Sequence, residues 1–443
     1  MSTTDLRPPF TPASEPEPPG SGFPDKVKSP RRAAAELSAA AVVIVAAAVA
    51  AGVVDLLIVV LCLVVMVMVH EAGHLLAAKR GGMKVTEYFL GFGPRLWSFT
   101  RGETEYGIKA FPLGGYVKIP GMTNLEEVDP ADEARTYRQQ PFHARLLVAV
   151  AGSAMHFLMA AVLLFVLLTF VGVPNGNQVA IEKVGAVGGH PGPAQVAGVR
   201  PGDVVVSVDG KPVAGNLDVL TSTIRDHPNQ PVTVVVDRHG TKQTLTVTPA
   251  DGRVASEPGL VAPKGTAPFG IIGISLGSPT QRTTPLHALA STGSGLVHVT
   301  WASILGVGHL FSPSSVAQRF DQVSSAKAAS QATADGNRVT SIYGAGRVAV
   351  QAAQAGVGDL LVILISINIF VGIFNLFPML PLDGGHVAIA AYEKIRTGRR
   401  RVMYHADVSK LMPFTYLMLL FLGVLFATSL LTDILHPMAN PFS

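Results

Sequence analysis

The chain has 443 residues, of which 48% are hydrophobic and only 14% are charged, and its mean hydropathy is positive. A soluble enzyme of this size carries about 25% charged residues, so the composition predicts a multi-pass membrane protein and argues against a soluble one. The net charge of +4 is small and says little about partners, and the single cysteine, Cys62, excludes an internal disulfide and a cysteine-rich zinc site.

Residues 1–32 begin with a proline-rich polar tract that cannot bury a core, and we expect a disordered cytoplasmic tail. Basic residues gather at the end of this tail, at Lys26, Lys28, Arg31 and Arg32. Because basic residues flank membrane spans on their cytoplasmic side, the N-terminus is predicted to be cytoplasmic.

Residues 33–80 are predicted to form two transmembrane helices. The run Leu37–Val69 is almost wholly apolar, yet as one helix it would be about 50 Å long, against a hydrocarbon core of about 30 Å. Two helices joined near Gly52–Asp55 fit the core better. The first would lead outward and the second would return to the cytoplasmic side.

The second helix ends in a motif with metal-binding chemistry, His70-Glu71-Ala72-Gly73-His74. Residues four apart share a helix face, so His70 and His74 can hold one zinc ion while Glu71 serves as general base. The alternative is a helix end whose polar residues meet the lipid headgroups. A catalytic zinc usually takes three protein ligands, so this motif calls for a further ligand from elsewhere in the chain.

Residues 81–145 are predicted to form a cytoplasmic β-hairpin region. Strand-forming residues alternate between glycines over 88–94 and 106–117. Basic residues are frequent here, as they are in cytoplasmic loops.

Residues 146–172 form the next predicted transmembrane helix, which leads outward. This segment carries His156 within an apolar run. A histidine at this position could be a further polar group near a metal ion, but a packing role or a headgroup contact is the favoured interpretation.

Residues 175–250 have the composition of a β-rich domain, with short β-branched runs between turn signals such as Asp209-Gly210. The run Gly192–Gly210 resembles a PDZ domain, and Leu217–Arg225 would be the helix beside its groove. Crossing parity puts this domain outside the cell. A PDZ domain can bind peptides by strand addition, can filter out bulky ectodomains, or can serve as a rigid spacer.

Residues 251–355 are predicted to be an extracytoplasmic connector that includes an amphipathic element. Glycine and proline are frequent at its beginning. Residues 286–311 are long enough to span a membrane, but serine, threonine and histidine are scattered through them.

Residues 356–383 are predicted to be a transmembrane helix that runs inward and ends in the motif Asn375-Leu376-Phe377-Pro378-Met379-Leu380-Pro381-Leu382-Asp383-Gly384. Asp383 is the obvious candidate for the third ligand. A cytoplasmic amphipathic stretch follows at 384–410, with Lys394, Arg396 and Arg399–Arg401, and a last helix at 411–432 leads outward.

Segment 286–311 can be assigned once both polar motifs are known. The two motifs end their helices, so these helices must run parallel for the ligands to meet at one depth, which requires an odd number of crossings between them. Segment 146–172 supplies one crossing. Residues 286–311 are therefore predicted to stay outside, as an amphipathic or interfacial element.

The two motifs together resemble the site-2-protease family of intramembrane zinc metalloproteases, whose signatures are H-E-x-x-H and N-x-x-P-x-x-x-L-D-G. Both signatures are complete here, at His70–His74 and Asn375–Gly384. With one PDZ-like segment, the chain is similar to the bacterial members that act in regulated intramembrane proteolysis. One departure is Gly152-Ser153-Ala154-Met155-His156, where many relatives have G-P-x-x-N.

The resemblance implies a polytopic α-helical membrane protein with a membrane-associated β-hairpin region and an inserted extracytoplasmic PDZ domain. It implies Zn²⁺ as the cofactor, with His70, His74 and Asp383 as ligands and Glu71 as the catalytic base. Asn375 would hydrogen-bond the substrate backbone, or serve only in helix packing. As a hypothesis, the free edge of the hairpin receives the unwound substrate, although an ordinary cytoplasmic hairpin accounts for the bare sequence equally well.

The implied reaction is hydrolysis of a peptide bond in or near the transmembrane segment of single-pass membrane proteins. Such substrates include anti-sigma factors and signal-peptide remnants, already shortened by an upstream protease. Expected partners are these substrates, that protease and membrane lipid, with no nucleic acid, and the expected location is the cell membrane. The alternatives are a catalytically silent PDZ scaffold and an ion-coupled transporter, but the sequence shows no internal repeat of the kind many transporters have.

Overall fold

The computed structural model of the chain describes residues 30–122, 126–253, 267–398 and 404–442. Residues 1–29 of the predicted tail, residues 254–266 of the connector and the basic residues Arg399, Arg400 and Arg401 lie outside the described residues. The interpretation of those segments stays a prediction.

Helices make up most of the described chain. They are α1 (Pro30–Ala50), α2 (Val54–Arg80), α3 (Phe142–Val166), α4 (Pro193–Val196), α5 (Leu217–Asp226), α6 (Pro285–Leu310), α7 (Pro313–Ser324), α8 (Ala326–Ala334), α9 (Ile342–Ala355), α10 (Val357–Asn375), α11 (Asp383–Thr397) and α12 (Met412–Leu435). A π-helical turn, Leu167–Val171, extends α3, and short 3-10 turns lie at Glu133–Arg135, Tyr137–Gln139 and Val408–Leu411.

Length and composition identify four helices that could cross a membrane, at Val54–Arg80, Phe142–Val171, Val357–Asn375 and Val408–Leu435. The bent pair α6 and α7 would be a fifth if it is counted as one span. The apolar part of α1, Ala35–Ala50, is shorter than these four. The described residues therefore have the architecture of a multi-pass helical membrane protein with an added β-rich region.

Small residues allow α2, α3 and α10 to approach one another closely. A Cβ atom on Gly73 of α2 would lie only 2.6 Å from a backbone oxygen of α3. On α10, Gly372 lies against His156 of α3 and Gly358 lies against Val171, so α3 and α10 run antiparallel. Lipid supplies no hydrophobic force between helices, and such close packing at small residues is what holds them together.

The predicted hairpin is present as β1 (Glu87–Arg101) and β2 (Thr104–Lys118), but it is strongly bent. Gly91 and Gly93 have φ values of +86° and +83°, which favour glycine. The bend places Glu87–Leu90 between two partners, Glu105–Ile108 and Gly115–Lys118. In the described chain, Gly115–Lys118 has no second strand beside it and lies against α2.

The β-rich region has ten strands in the described chain. They are β3 (Val173–Pro174), β4 (Val179–Val184), β5 (Val204–Val208), β6 (Lys211–Pro212), β7 (Val232–Arg238), β8 (Thr241–Val247), β9 (Ala250–Asp251), β10 (Gly270–Ile271), β11 (Ile274–Gly277) and β12 (Thr280–Gln281). The main sheet has the order β11-β4-β5-β7-β8, with β6 paired to β5.

The sheet has its own hydrophobic core, so it forms a unit apart from the membrane helices. Val179, Val208 and Val232 are fully buried in this core, and Leu220 and Ile224 of α5 complete it. The turn between β5 and β6 has positive φ at both Asp209 and Gly210, which suits an Asp-Gly hairpin turn.

Residues 286–311, predicted to be an extracytoplasmic element, lie almost wholly in α6, and their place relative to the membrane stays a prediction. At the start of α6, the backbone N–H of Thr283 donates to the carbonyl of Leu168, just beyond α3. At its other end, Phe311 stacks on Phe377, just beyond α10, with ring centroids 4.6 Å apart. Because α10 runs antiparallel to α3, α6 lies lengthwise along both helices, and most of its large apolar side chains, such as Leu286, Val297 and Trp301, are exposed.

The hydroxyl side chains of α6 form hydrogen bonds within their own helix. The Thr292 hydroxyl donates to the Ala288 carbonyl, and the Ser294 hydroxyl donates to the Ser291 carbonyl. Hydroxyls that bond to their own helix need no water, so they are tolerated among apolar neighbours. Scattered serine and threonine residues therefore do not by themselves indicate an element at the membrane interface.

Helix α7 returns toward the side from which α6 came. It is bent by 77° from α6. Phe311, at the bend, also stacks on Phe421 in the middle of α12. Near the end of α7, the Val323 carbonyl accepts a hydrogen bond from His436, just past the C-terminus of α12. The pair thus begins and ends near one end of the bundle, and the number of crossings between the two polar motifs stays a prediction.

Candidate metal centre

Two imidazoles face each other on one side of α2. His70 and His74 are buried, and their Nε2 atoms are 3.2 Å apart. The Nδ1 atom of His74 lies 2.8 Å from the carbonyl oxygen of Val148. A carbonyl can only accept, so Nδ1 carries the proton and Nε2 of His74 presents a lone pair to the site.

A carboxylate from the far end of the chain meets this pair. Oδ2 of Asp383 lies 3.5 Å from Nε2 of His70 and 3.3 Å from Nε2 of His74. Asp383 is the first residue of α11, directly after the loop that ends α10. The glycines that follow it are needed for this position, since a Cβ on Gly384 would lie 2.2 Å from the Leu376 carbonyl oxygen.

The spacing of the three ligand atoms fits a zinc ion. With zinc–ligand bonds of about 2.0–2.1 Å, the ligand atoms of a tetrahedral site lie about 3.3 Å apart. The observed separations of 3.2, 3.3 and 3.5 Å match that value. Lone pairs that converge in this way are stabilised by a cation among them, and two nitrogens with one carboxylate oxygen form a typical zinc donor set.

Helix α3 forms the floor of this centre at Gly152. A Cβ atom there would lie 2.4 Å from both Cε1 of His70 and Nε2 of His74. Only a glycine can hold the α3 backbone this close to the two rings. Gly152 begins the segment Gly152–His156, which differs from the family pattern, so this segment is in direct contact with the candidate ligands.

Glu71 lies next to the three ligand atoms but is not one of the cluster. Its side chain is partly buried beneath the hairpin edge, where a Cβ on Gly115 would lie 3.2 Å from Glu71 Cγ. Tyr88 of β1 is also close. Burial raises the pKa of Tyr88 to about 12, and the charge of Glu71 contributes to the rise.

The predicted substrate contact Asn375 and two other polar residues lie around the centre or away from it. Asn375 is the half-buried last residue of α10, and within the described residues its side chain has no hydrogen bond. His386 rests edge-on against Tyr137, with ring centroids 6.2 Å apart, and burial lowers its pKa. Asp55 lies in the first turn of α2, at the opposite end from His70.

His156 lies much closer to the centre than the favoured sequence interpretation implies. Its ring centroid is 4.9 Å from that of His70, and the residue is 2% exposed. Its Nδ1 lies 3.0 Å from Oδ1 of Asn368, on α10. Asn368 was not identified from the sequence, and the one available signal was a polar side chain inside an apolar run.

A buried ion pair joins α11 to α3 near the centre. Arg145 and Glu393 are 2.6 Å apart, and both side chains are almost fully buried. Glu393 also accepts from the backbone N–H of Ala406, and the Arg145 guanidinium lies 5.1 Å from the centre of the Tyr137 ring. Sequence patterns gave no sign of this pair.

Comparison with known proteins identifies a family whose match covers both polar motifs. The model of peptidase family M50 matches residues 58–422, which include both polar motifs. The zinc metalloprotease Rip1 of Mycobacterium tuberculosis is 32% identical over 394 residues, covering 84% of this chain and 95% of the relative. The protein of the same name from Mycolicibacterium smegmatis is 31% identical over 400 residues, with the same shares of each chain covered.

Proposed function

This chain belongs to peptidase family M50, the site-2 proteases, and from that membership we infer that it is an intramembrane zinc metalloprotease. One observation carries the inference to this chain's own residues. Nε2 of His70, Nε2 of His74 and Oδ2 of Asp383 converge from distant segments to the spacing of a zinc tetrahedron.

The proposed roles follow from the position of each group. His70, His74 and Asp383 hold the ion. When bound, zinc supplies a Lewis acid that polarises the scissile carbonyl and makes a water molecule more acidic. Glu71 takes the proton of the attacking water and passes it to the leaving amine.

We propose that the substrates are single-pass membrane proteins whose ectodomain has already been removed, such as anti-sigma factors or signal-peptide remnants. A transmembrane helix hides its peptide bonds in its own hydrogen bonds, so the substrate must unwind before attack. The hairpin edge Gly115–Lys118 supports this proposal, because it lies beside Glu71 and, among the described residues, pairs with a strand on one side only. Asn375 is proposed as a second contact to the substrate backbone.

We also propose that the β-rich unit is an extracytoplasmic PDZ domain that filters substrates by size. Its separate core and the helix α5 support the PDZ assignment. Strand β11 lies at the end of the sheet order, so a peptide groove beside it is the alternative. The orientation proposed with it has the N-terminus and the metal centre on the cytoplasmic side.

The function can be tested by reconstituting the full chain in liposomes with a truncated single-pass reporter. We expect cleavage by the wild type, loss of cleavage with a zinc chelator and recovery when zinc is returned. The Glu71→Gln variant should not cleave. Cleavage that resists chelation or survives in Glu71→Gln would contradict the proposal, and no cleavage of any reporter would favour a silent scaffold.

A further inference from the structure

His70 and His74 differ in how their rings are held. The Nδ1–H group of His74 is fixed by the Val148 carbonyl. Nδ1 of His70 is buried and has no hydrogen-bond partner among the described residues. A ligand histidine is usually oriented by a hydrogen bond from its second nitrogen, so His70 needs another device to aim its Nε2 atom.

One face of α3 surrounds the His70 ring. Gly152 brings the α3 backbone against the ring, and His156, one helical turn further, places its own ring 4.9 Å away at an angle of 42°. These two residues lie four apart and therefore share a helix face. The His70 ring is thus held between the α3 backbone at Gly152, which packs directly against it, and the imidazole of His156.

The His156 ring is itself fixed by α10. Nδ2 of Asn368 donates to the carbonyl of Leu364, so its Oδ1 atom is the one that faces His156. Nδ1 of His156 must therefore carry the proton and donate it to Asn368. Both side chains are 2% exposed, and no water competes for the hydrogen bond.

The helices are shaped to permit this bond. Gly372 lies one turn beyond Asn368 on α10, and a Cβ there would be 3.1 Å from Cβ of His156. The missing side chain allows α10 to approach α3 closely enough for the asparagine to reach the imidazole. His70, His156 and Asn368 thus connect α2, α3 and α10 in a single buried row.

We propose that His156, oriented by Asn368, is a positioning residue that sets the ring of the zinc ligand His70. This inference rests on the proposed function. The row fixes a ring whose Nδ1 atom has no hydrogen-bond partner among the described residues, and it ties the imidazole pair to α10, whose end leads to Asp383.

The test measures metal binding rather than cleavage alone. Full-length chain carrying Glu71→Gln is stripped of metal, and zinc affinity is determined by competition with a chelator. His156→Phe keeps a ring but removes the Nδ1–H donor, and Asn368→Leu removes the acceptor at similar volume. Ile369→Val is the matched control, because Ile369 is fully buried beside Asn368 on α10.

We expect His156→Phe and Asn368→Leu each to weaken zinc binding by about 10–100-fold, the usual effect of losing an outer-shell partner. The double variant should lose little more than either single one, because both act through one bond. The absorption spectrum of bound Co²⁺ should change in both variants and not in the control. In chains that retain Glu71, excess zinc should restore cleavage.

Wild-type zinc affinity and an unchanged Co²⁺ spectrum in both variants would overturn the positioning role. An equal loss in Ile369→Val would also overturn it, because general packing would then explain the effect. If the unaltered site takes up no stoichiometric zinc, the proposed function itself fails. That result is distinguishable from a failure of His156 alone.

Discussion

Replacing Gly152 by alanine tests the metal centre by adding a single methyl group. The new Cβ would lie 2.4 Å from His70 Cε1 and from His74 Nε2, and 2.7 Å from His70 Nε2. Ordinary contacts are about 3.5–4.0 Å, so the groups must separate by more than about 1 Å. Zinc bonds tolerate changes of only about 0.2 Å, and both rings cannot move this far and keep their bonds.

We therefore expect Gly152→Ala to weaken zinc binding by at least about 100-fold, measured by chelator competition on the full chain. Alanine is the better helix former by about 1 kcal/mol, so helix propensity alone would make the variant more stable. Gly423→Ala in α12 is the matched control, because no atom lies within 4 Å of its Cβ position. Unchanged zinc affinity in Gly152→Ala would refute the geometry described for this site.

Three further changes test other parts of the molecule. Glu71→Gln should reduce cleavage by about 10²–10⁴-fold and keep one zinc per chain, whereas loss of zinc would make Glu71 a ligand. Arg145→Met leaves Glu393 buried without a positively charged partner and should destabilise the protein by about 3–5 kcal/mol, seen as a lower unfolding temperature; an unchanged temperature would speak against the ion pair. Burial alone would raise the pKa of Asp203, but its hydrogen bonds with Arg238 outweigh burial and hold that pKa below its usual value. Asp203 therefore stabilises the β-rich unit above about pH 4, and this contribution is lost as the pH falls through the lowered pKa. Protection of that unit from proteolysis should follow this course in the wild type, and Asp203→Asn should abolish the dependence.

The sequence predicted the chemical class of the protein because its key groups follow local rules. Two histidines four apart must share a helix face, and this is how His70 and His74 are arranged. The family assignment, which the comparisons confirm, came from the same motif together with the one that ends in Asp383. The meeting of these motifs across more than half of the chain is what the structure adds.

Other features depend on contacts that no local pattern records. The hydrogen bond between His156 and Asn368 joins two helices, and neither residue indicates the other in the sequence. Helix α6 packs along α3 and α10, and its Thr292 and Ser294 hydroxyls bond to the helix itself, an arrangement that composition alone does not reveal. Close packing at Gly152 and Gly372 likewise becomes visible only when the neighbouring helix is in place.

The central claim is that one zinc ion is held by two imidazoles of α2 and the carboxylate of Asp383. X-ray absorption at the zinc edge, measured on the full chain with Glu71→Gln and compared with the same chain carrying Asp383→Ala, tests it most directly. We predict one zinc per chain with nitrogen and oxygen ligands at about 2.0–2.2 Å and no sulfur, and loss of that zinc in the Asp383→Ala variant. Stoichiometric zinc with an unchanged spectrum in Asp383→Ala would contradict the account.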